Sequence, residues 1–214
     1  MIHRIVTKNN RFYFLLAGLL IVLLIAPILT DFYPGLTGML LTVTLLIAVF
    51  SMSESKRYNR LAWFLVITKV VLTGIGYFDD DVGIFIGETI VLFAFFILAT
   101  VFSMKRVLEG DFVDMNRIAG AISIYMLIGL IWGSVYFFIA LLNPDAFRGL
   151  TDLPVPERAQ VNSVYMDLPY YSYVTLTTLG YGDVTPVSRG AQSLAYLEAI
   201  CGVMYVAVLV SALV

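Results

Sequence analysis

Apolar residues run along this chain in long blocks separated by short polar breaks. Six blocks are long enough, or nearly so, for an α-helix to cross the roughly 30 Å apolar core of a bilayer, which takes about 20 residues. They are Phe12 to Thr30, Pro34 to Met52, Leu61 to Phe78, Val82 to Met104, Ile118 to Leu142 and Ala191 to Val214. The fifth and sixth are separated by a polar stretch, Asn143 to Asp167, which carries Pro144, Pro154 and Pro156 and reads as an extracellular turret. A semi-apolar segment, Leu168 to Thr178, follows it. That segment is too short to span, so it can only enter the membrane and turn back. The pattern predicts an all-α membrane protein with six transmembrane helices and a re-entrant helix and loop between helices 5 and 6. It divides into a peripheral four-helix part with its linker, 1–117, and a second part, 118–214.

Composition narrows the function classes. Hydrophobic residues make up 60% of the chain and charged residues 13%, and the mean hydropathy is +0.92. That leaves too few polar residues to cover a water-facing surface, so the partner of most of this surface is lipid. One cysteine, Cys201, and one histidine, His3, exclude an intrachain disulfide framework, a Cys/His metal cluster and histidine acid–base chemistry. There is no phosphate-binding glycine loop, no nucleophile elbow and no basic nucleic-acid patch, so neither an enzyme nor a nucleic-acid binder is expected, and no cofactor.

Charge placement sets the topology. Arg4, Lys8, Arg11, Lys56, Arg57, Arg60, Lys105, Arg106 and Arg117 share one side if six spans alternate, and only Arg148, Arg158 and Arg189 fall on the other. The positive-inside rule then puts the N-terminus in the cytoplasm of a multi-pass protein. The first block lacks a small-x-small cleavage pattern before Pro27 and reads as a retained helix rather than a signal peptide. In the linker Lys105 to Arg117, Val107, Leu108, Phe112 and Met115 fit either one face of a short interfacial helix or a plain connection. Lys69 and Glu88 are ionisable residues inside the third and fourth blocks, and an intramembrane ion pair between them is plausible. Gly83/Gly87 and Gly129/Gly133 have the small-xxx-small spacing of close helix contacts.

The chemistry concentrates in Thr175-Leu176-Thr177-Thr178-Leu179-Gly180-Tyr181-Gly182-Asp183. Gly180 and Gly182, which permit backbone conformations that other residues resist, alternate with Leu179 and Tyr181, and Thr178 carries a hydroxyl. Irregular backbone at membrane depth survives only where it lines a cavity or is buried in protein. Pro169 suits the first turn of the short helix before the loop, and Asp167 suits its positive end.

This T-x-x-T-x-G-Y-G-D run closely resembles the pore signature of potassium channels. The resemblance is strong over Leu168 to Val214, moderate over Ile118 to Leu142, and by helix count alone before that. It implies a selectivity filter at Thr178, Leu179, Gly180, Tyr181 and Gly182, where successive backbone carbonyls aimed at one axis, with the Thr178 hydroxyl, replace the water of permeant K+ held at Thr178, Leu179, Gly180 and Tyr181. It implies filter support from Tyr170, Tyr171, Thr175, Thr177 and Asp183. Val174 stands where some members of the family carry a filter-backing glutamate. One filter strand cannot encircle an ion, so the resemblance also implies a homotetramer.

The sixth block would then be the inner helix. Gly202 is a gating-hinge candidate, with close packing as the other reading. Val203, Val206 or Ala207, and Val210 are cavity-lining candidates. Glu198 could bond to the re-entrant helix behind the filter, face the cavity, or make a purely structural bond. No Arg or Lys occurs from Val82 to Met104, so the arginine ladder of a voltage sensor is absent and opening is expected to depend little on voltage. Many members of the family continue into a cytoplasmic ligand-binding domain, and such a regulatory domain or its ligand is a candidate partner not present in this chain. The expected function is passive K+ conduction across a plasma membrane. The alternatives are a weakly selective cation channel, a potassium transporter subunit, or a non-conducting membrane sensor.

Overall fold

The computed structural model of the chain describes residues 11–32, 42–49, 56–79, 81–108, 114–150 and 158–213. Seven helices carry most of them: α1 (Arg11–Phe32), α2 (42–49), α3 (Lys56–Phe78), α4 (Val82–Leu108), α5 (Met115–Leu142), α6 (Arg158–Leu176) and α7 (Arg189–Leu213). A helix satisfies its own backbone polar groups, which is why apolar segments that meet lipid adopt it. Four are long and apolar enough to cross a membrane: α3, α4, α5 and the stretch Arg189–Leu209 of α7. Within α1 the shorter apolar run is Phe12–Ile25. The expected second span is described over 42–49, where it is helical; its flanks lie outside the described residues. The chain forms two compact units, Met1–Leu127 and Ile128–Val214, and α5 runs through the boundary.

In the first unit α3 and α4 form an antiparallel pair. Their short connection requires this, and the Tyr58 ring near the start of α3 packs at a tilt, 5.5 Å between centroids, against Phe102 near the end of α4. The buried positions of α4 include Phe85, Glu88, Leu92, Phe95, Ala99 and Phe102, spaced at three and four residues as one helix face demands. Lys69 and Glu88 meet in this seam, with Nζ 2.5 Å from Oε2. Lys69 Nζ also donates to Thr73 Oγ1 at 2.7 Å.

Part of the linker belongs to the flanking helices. Val107 and Leu108 complete α4 and Met115 opens α5, so they do not form a separate interfacial helix; Phe112 lies outside the described residues. The reason is capping. Lys105 and Arg106 suit the negative end of α4. Arg117 donates to the Val107 carbonyl from Nε at 3.1 Å and from Nη2 at 2.5 Å. The Asp114 carboxylate accepts the Arg117 backbone N–H at 2.8 Å, closing the first turn of α5. The Phe12 backbone N–H, in the first turn of α1, donates to Asn116 Oδ1 at 3.1 Å.

The second unit holds α5 from Ile128 onward, α6, α7 and a small ribbon. After α5 a 3-10 turn, Pro144–Ala146, leads into β1 (Phe147–Arg148), which pairs antiparallel with β2 (Thr185–Pro186), Phe147 opposite Pro186. The Ala146 carbonyl accepts the N–H groups of Val187 and Ser188 at 2.8 and 3.2 Å. The end of α5 and the start of α7 are therefore held by the same short ribbon.

Here the structure corrects two linked expectations. Pro169 is not in a first turn and Asp167 is not at the helix's positive end: α6 begins at Arg158 and both lie inside it. Val161, Val164, Tyr165 and Leu168 repeat at helical spacing, so an apolar face extends α6 backward into the expected turret. Val164, Tyr165 and Leu168 are buried, and Phe137 packs edge-on against Tyr165 at 5.2 Å. Proline removes one intrahelical bond, and packing outweighs that loss. Gly133 of α5 lies against Pro169, where an added Cβ would come within 2.8 Å of the proline Cα.

Candidate functional site

The site is the loop from Thr177 to Ser188, hung between α6 and α7. Helix α6 tightens at its end: Thr177 N–H bonds the Tyr173 carbonyl at 3.1 Å, and Thr178 N–H bonds the Thr175 carbonyl at 2.9 Å. The Thr177 hydroxyl bonds back to the Tyr173 carbonyl at 2.7 Å. The chain then leaves the helix with φ of 59° at Thr178, 61° at Gly180 and 78° at Gly182. No other non-glycine residue among those described has a positive φ. Two of the three positions are glycines, which adopt this conformation without steric cost; Thr178 is a locally strained residue.

This alternation decides where the peptide groups point. The N–H groups of Leu179 and Gly180 both donate to the Val174 carbonyl, at 2.9 and 3.2 Å. Alternating backbone handedness is one arrangement that aims consecutive N–H groups at a single atom. The peptide bonds are planar and trans, so each carbonyl points opposite to the N–H of the next residue. The Thr178 and Leu179 carbonyls therefore both face away from the end of α6. In an ordinary strand they would point to opposite sides.

Those oxygens form a one-sided row able to coordinate a hard cation. The negative end of α6 lies behind the loop. The loop's oxygens include its backbone carbonyls, the Thr178 hydroxyl and the Asp183 carboxylate. Leu179 and Tyr181 are 55% and 67% exposed in the single chain. A Cβ at Gly180 or Gly182 would meet nothing within 4 Å.

The loop's return limb is anchored. The Tyr170 hydroxyl donates to Asp183 Oδ2 at 2.5 Å, and Val184 N–H donates to Asp183 Oδ1 at 2.9 Å. The Tyr170 bond, then the backbone one, holds the Asp183 carboxyl below its ordinary range. Tyr171 points the other way, into a buried aromatic cluster with Tyr136 at 5.0 Å and Phe147 at 5.4 Å. Thr175 is half-buried one turn before the loop.

On α7, Gly202 lies against the end of α6: a Cβ added there would overlap the Leu176 carbonyl oxygen. This contact gives the glycine a packing role, and α7 is continuous through it. Glu198 is fully buried. Its Oε2 accepts the Tyr136 hydroxyl at 2.6 Å, and its Oε1 lies 2.5 Å from Ser172 Oγ. Of the cavity-lining candidates on α7, Val203, Val206 and Ala207 are exposed in the single chain; the side chain of Val210 lies outside the described residues. Lys69 and Glu88 belong to the first unit, as described above.

Several contributors escaped the sequence reading. The Val174 carbonyl, Ser172 and Tyr136 hold the site as much as the motif does. Val174 acts through its backbone, which no side-chain pattern reports. For Ser172 and Tyr136 the signal was diluted: hydroxyls recur around both (Ser134 beside Tyr136; Tyr170, Tyr171, Tyr173 and Thr175 around Ser172), and only the buried acid on α7 calls for partners among them.

Residues 124–214, from the middle of α5 onward, match the model of a family described as ion channel. No curated protein and no solved structure matches the chain. The family match supports ion-channel function and points to a non-enzymatic membrane protein.

Proposed function

We propose that this chain is one subunit of a homotetrameric potassium channel whose selectivity filter is Thr178-Leu179-Gly180-Tyr181-Gly182. One observation carries the reading: the Leu179 and Gly180 N–H groups converge on the Val174 carbonyl, so that consecutive carbonyls face one side. A single row of oxygens covers one flank of an ion, and four symmetry-related rows would replace its hydration shell. The exposed Leu179 and Tyr181 side chains would then pack against neighbouring subunits. Six spans per subunit, with α6 and its loop entering from outside, account for the apolar blocks and the sidedness of the basic residues. The cell membrane is the proposed location, with the N-terminus inside. The fourth block lacks gating arginines, so opening is proposed not to follow voltage, with control left to a cytoplasmic domain or ligand.

The test is current or flux from the purified chain in liposomes, with potassium on one side and sodium on the other. A reversal potential near the potassium equilibrium value, abolished by Gly180→Ala, is expected. Equal passage of sodium and potassium would refute the filter assignment in favour of a weakly selective cation channel. Absence of current under every stimulus, with a monomer or dimer by mass, would favour the non-conducting sensor reading.

A further inference from the structure

We propose that Glu198 is a positioning residue that works as a neutral, proton-carrying acid, clamping the re-entrant helix to the two helices beside it. Its consequence for selectivity rests on the channel reading above. The clamp itself rests on geometry and on counting protons.

Three side chains, all fully shielded from solvent, meet inside the second unit: Tyr136 from α5, Ser172 from α6 and Glu198 from α7. Tyr136 OH lies 2.6 Å from Glu198 Oε2. Ser172 Oγ lies 2.5 Å from Glu198 Oε1 and 2.8 Å from the Gly129 carbonyl of α5. The ionisable neighbours on the packed helices are Tyr136 of α5 and Tyr171 of α6, whose rings are 5.0 Å apart. No basic side chain forms an ion pair with Glu198 among the described residues.

A serine hydroxyl has one proton, and a carbonyl can only accept. Were Glu198 ionised, Ser172 would face two acceptors with one proton, and one of two close, buried contacts would lack a hydrogen. An unmade buried hydrogen bond is costly. A proton on Glu198 Oε1 resolves this. Glu198 donates to Ser172, Ser172 donates to the Gly129 carbonyl, and Tyr136 donates to Glu198 Oε2. Each proton then has one acceptor, and no net charge is buried without a partner.

The clamp has a mechanical destination. Ser172 sits two residues before Val174, whose carbonyl holds the Leu179 and Gly180 N–H groups. Four residues along α7 from Glu198, Gly202 packs on the Leu176 carbonyl. Glu198 thus fixes the last turns of α6 against α5 and α7, and through Val174 it fixes the row of carbonyls.

Two measurements on the full chain in liposomes test this. The infrared spectrum at neutral pH should contain the carbonyl stretch of a protonated carboxylic acid, and Glu198→Gln should remove it. Ser172→Ala should shift that band to the position of a less strongly hydrogen-bonded acid. In flux, Glu198→Gln keeps a donor for Ser172 and an acceptor for Tyr136, so potassium-over-sodium preference should be retained. Glu198→Leu and Ser172→Ala should each lower it about tenfold, as expected for leaving buried partners unpaired. Absence of the acid band in the wild-type chain, its persistence in Glu198→Gln, or loss of selectivity in Glu198→Gln would overturn the proposal. If the wild-type chain passes no selective current, the channel reading fails alone, because the infrared arm still decides the proton on Glu198.

Discussion

Replacing Lys69 by leucine should destabilise the protein far more than the ion pair itself stabilises it. The side chains of Lys69 and Glu88 are 1% and 7% exposed, with the charged atoms 2.5 Å apart. At an effective dielectric constant of about 20, two unit charges at that distance attract by about 7 kcal/mol. Removing each ion from water costs several kcal/mol, so the intact pair contributes little net. Lys69→Leu deletes the attraction while the Glu88 carboxylate stays buried, a loss of about 3–5 kcal/mol. Glu88→Leu should cost a similar amount by removing the anion that faces the buried ammonium. The double variant replaces both ions with apolar volume and should recover most of the loss. The coupling between the sites would then be about 5 kcal/mol or more, above the usual range for residues in contact. Reversible unfolding in mixed micelles, followed by helical circular dichroism, measures all three variants. Single losses below about 1 kcal/mol that simply add in the double variant would refute the buried-pair argument.

Three further outcomes follow from contacts elsewhere. Gly202→Ala should drive α7 off the Leu176 carbonyl and cost about 1–3 kcal/mol in the same unfolding assay, as overpacking does; an unchanged midpoint would refute the close approach. Asn116→Ala removes the acceptor of the Phe12 N–H, and amide exchange in the first turn of α1 should quicken about tenfold, for a loss of about 1 kcal/mol or more; unchanged exchange would count against the cap. The Asp183 carboxyl titrates below its ordinary range because Tyr170 donates to it. Its stabilising contribution is therefore present above the unfolded-state value near pH 3.9 and is lost as pH falls through the lower folded value. Tyr170→Phe should move the Asp183 titration up, measured by carbon NMR of labelled aspartate; no movement would show that the bond does not form in solution.

What the sequence discloses depends on whether a feature is written in side chains or in backbone. The apolar blocks anticipate the described helices closely, because meeting lipid leaves the chain little choice but to bond to itself. Lys69 and Glu88 could be matched as partners because two opposite charges in neighbouring apolar helices have nowhere else to go. The glycines of the loop announce positive φ, but Thr178 adopts it as well, and no residue preference foretells that. Position rules also conflict. Proline at a helix start is a sound preference, yet the face built by Val164, Tyr165 and Leu168 carries α6 past Pro169. An interior proline costs roughly 3 kcal/mol, while burying one large apolar side chain returns about 1.5–3 kcal/mol. Two or three such side chains, seated against α5 where Gly133 admits the proline backbone, outweigh it.

The same division explains why the supports of the loop were harder to find than the loop. On the channel reading proposed above, the carbonyl row must hold its shape against closing around a smaller ion. Stiffness here comes from what holds the Val174 carbonyl still, and that is spread over three helices that are distant in sequence. Tyr136 and Glu198 are 62 residues apart, and Ser172 and Gly129 are 43 apart. A linear motif can specify conformations within a few residues of itself. It cannot specify the partner of a buried hydroxyl two helices away, although the cost of burying a polar group alone requires that a partner exist. The useful inference from sequence is therefore conditional: a lone acid in an apolar span beside a coordinating loop calls for hydroxyls on the facing helices, and Ser172 and Tyr136 meet that condition.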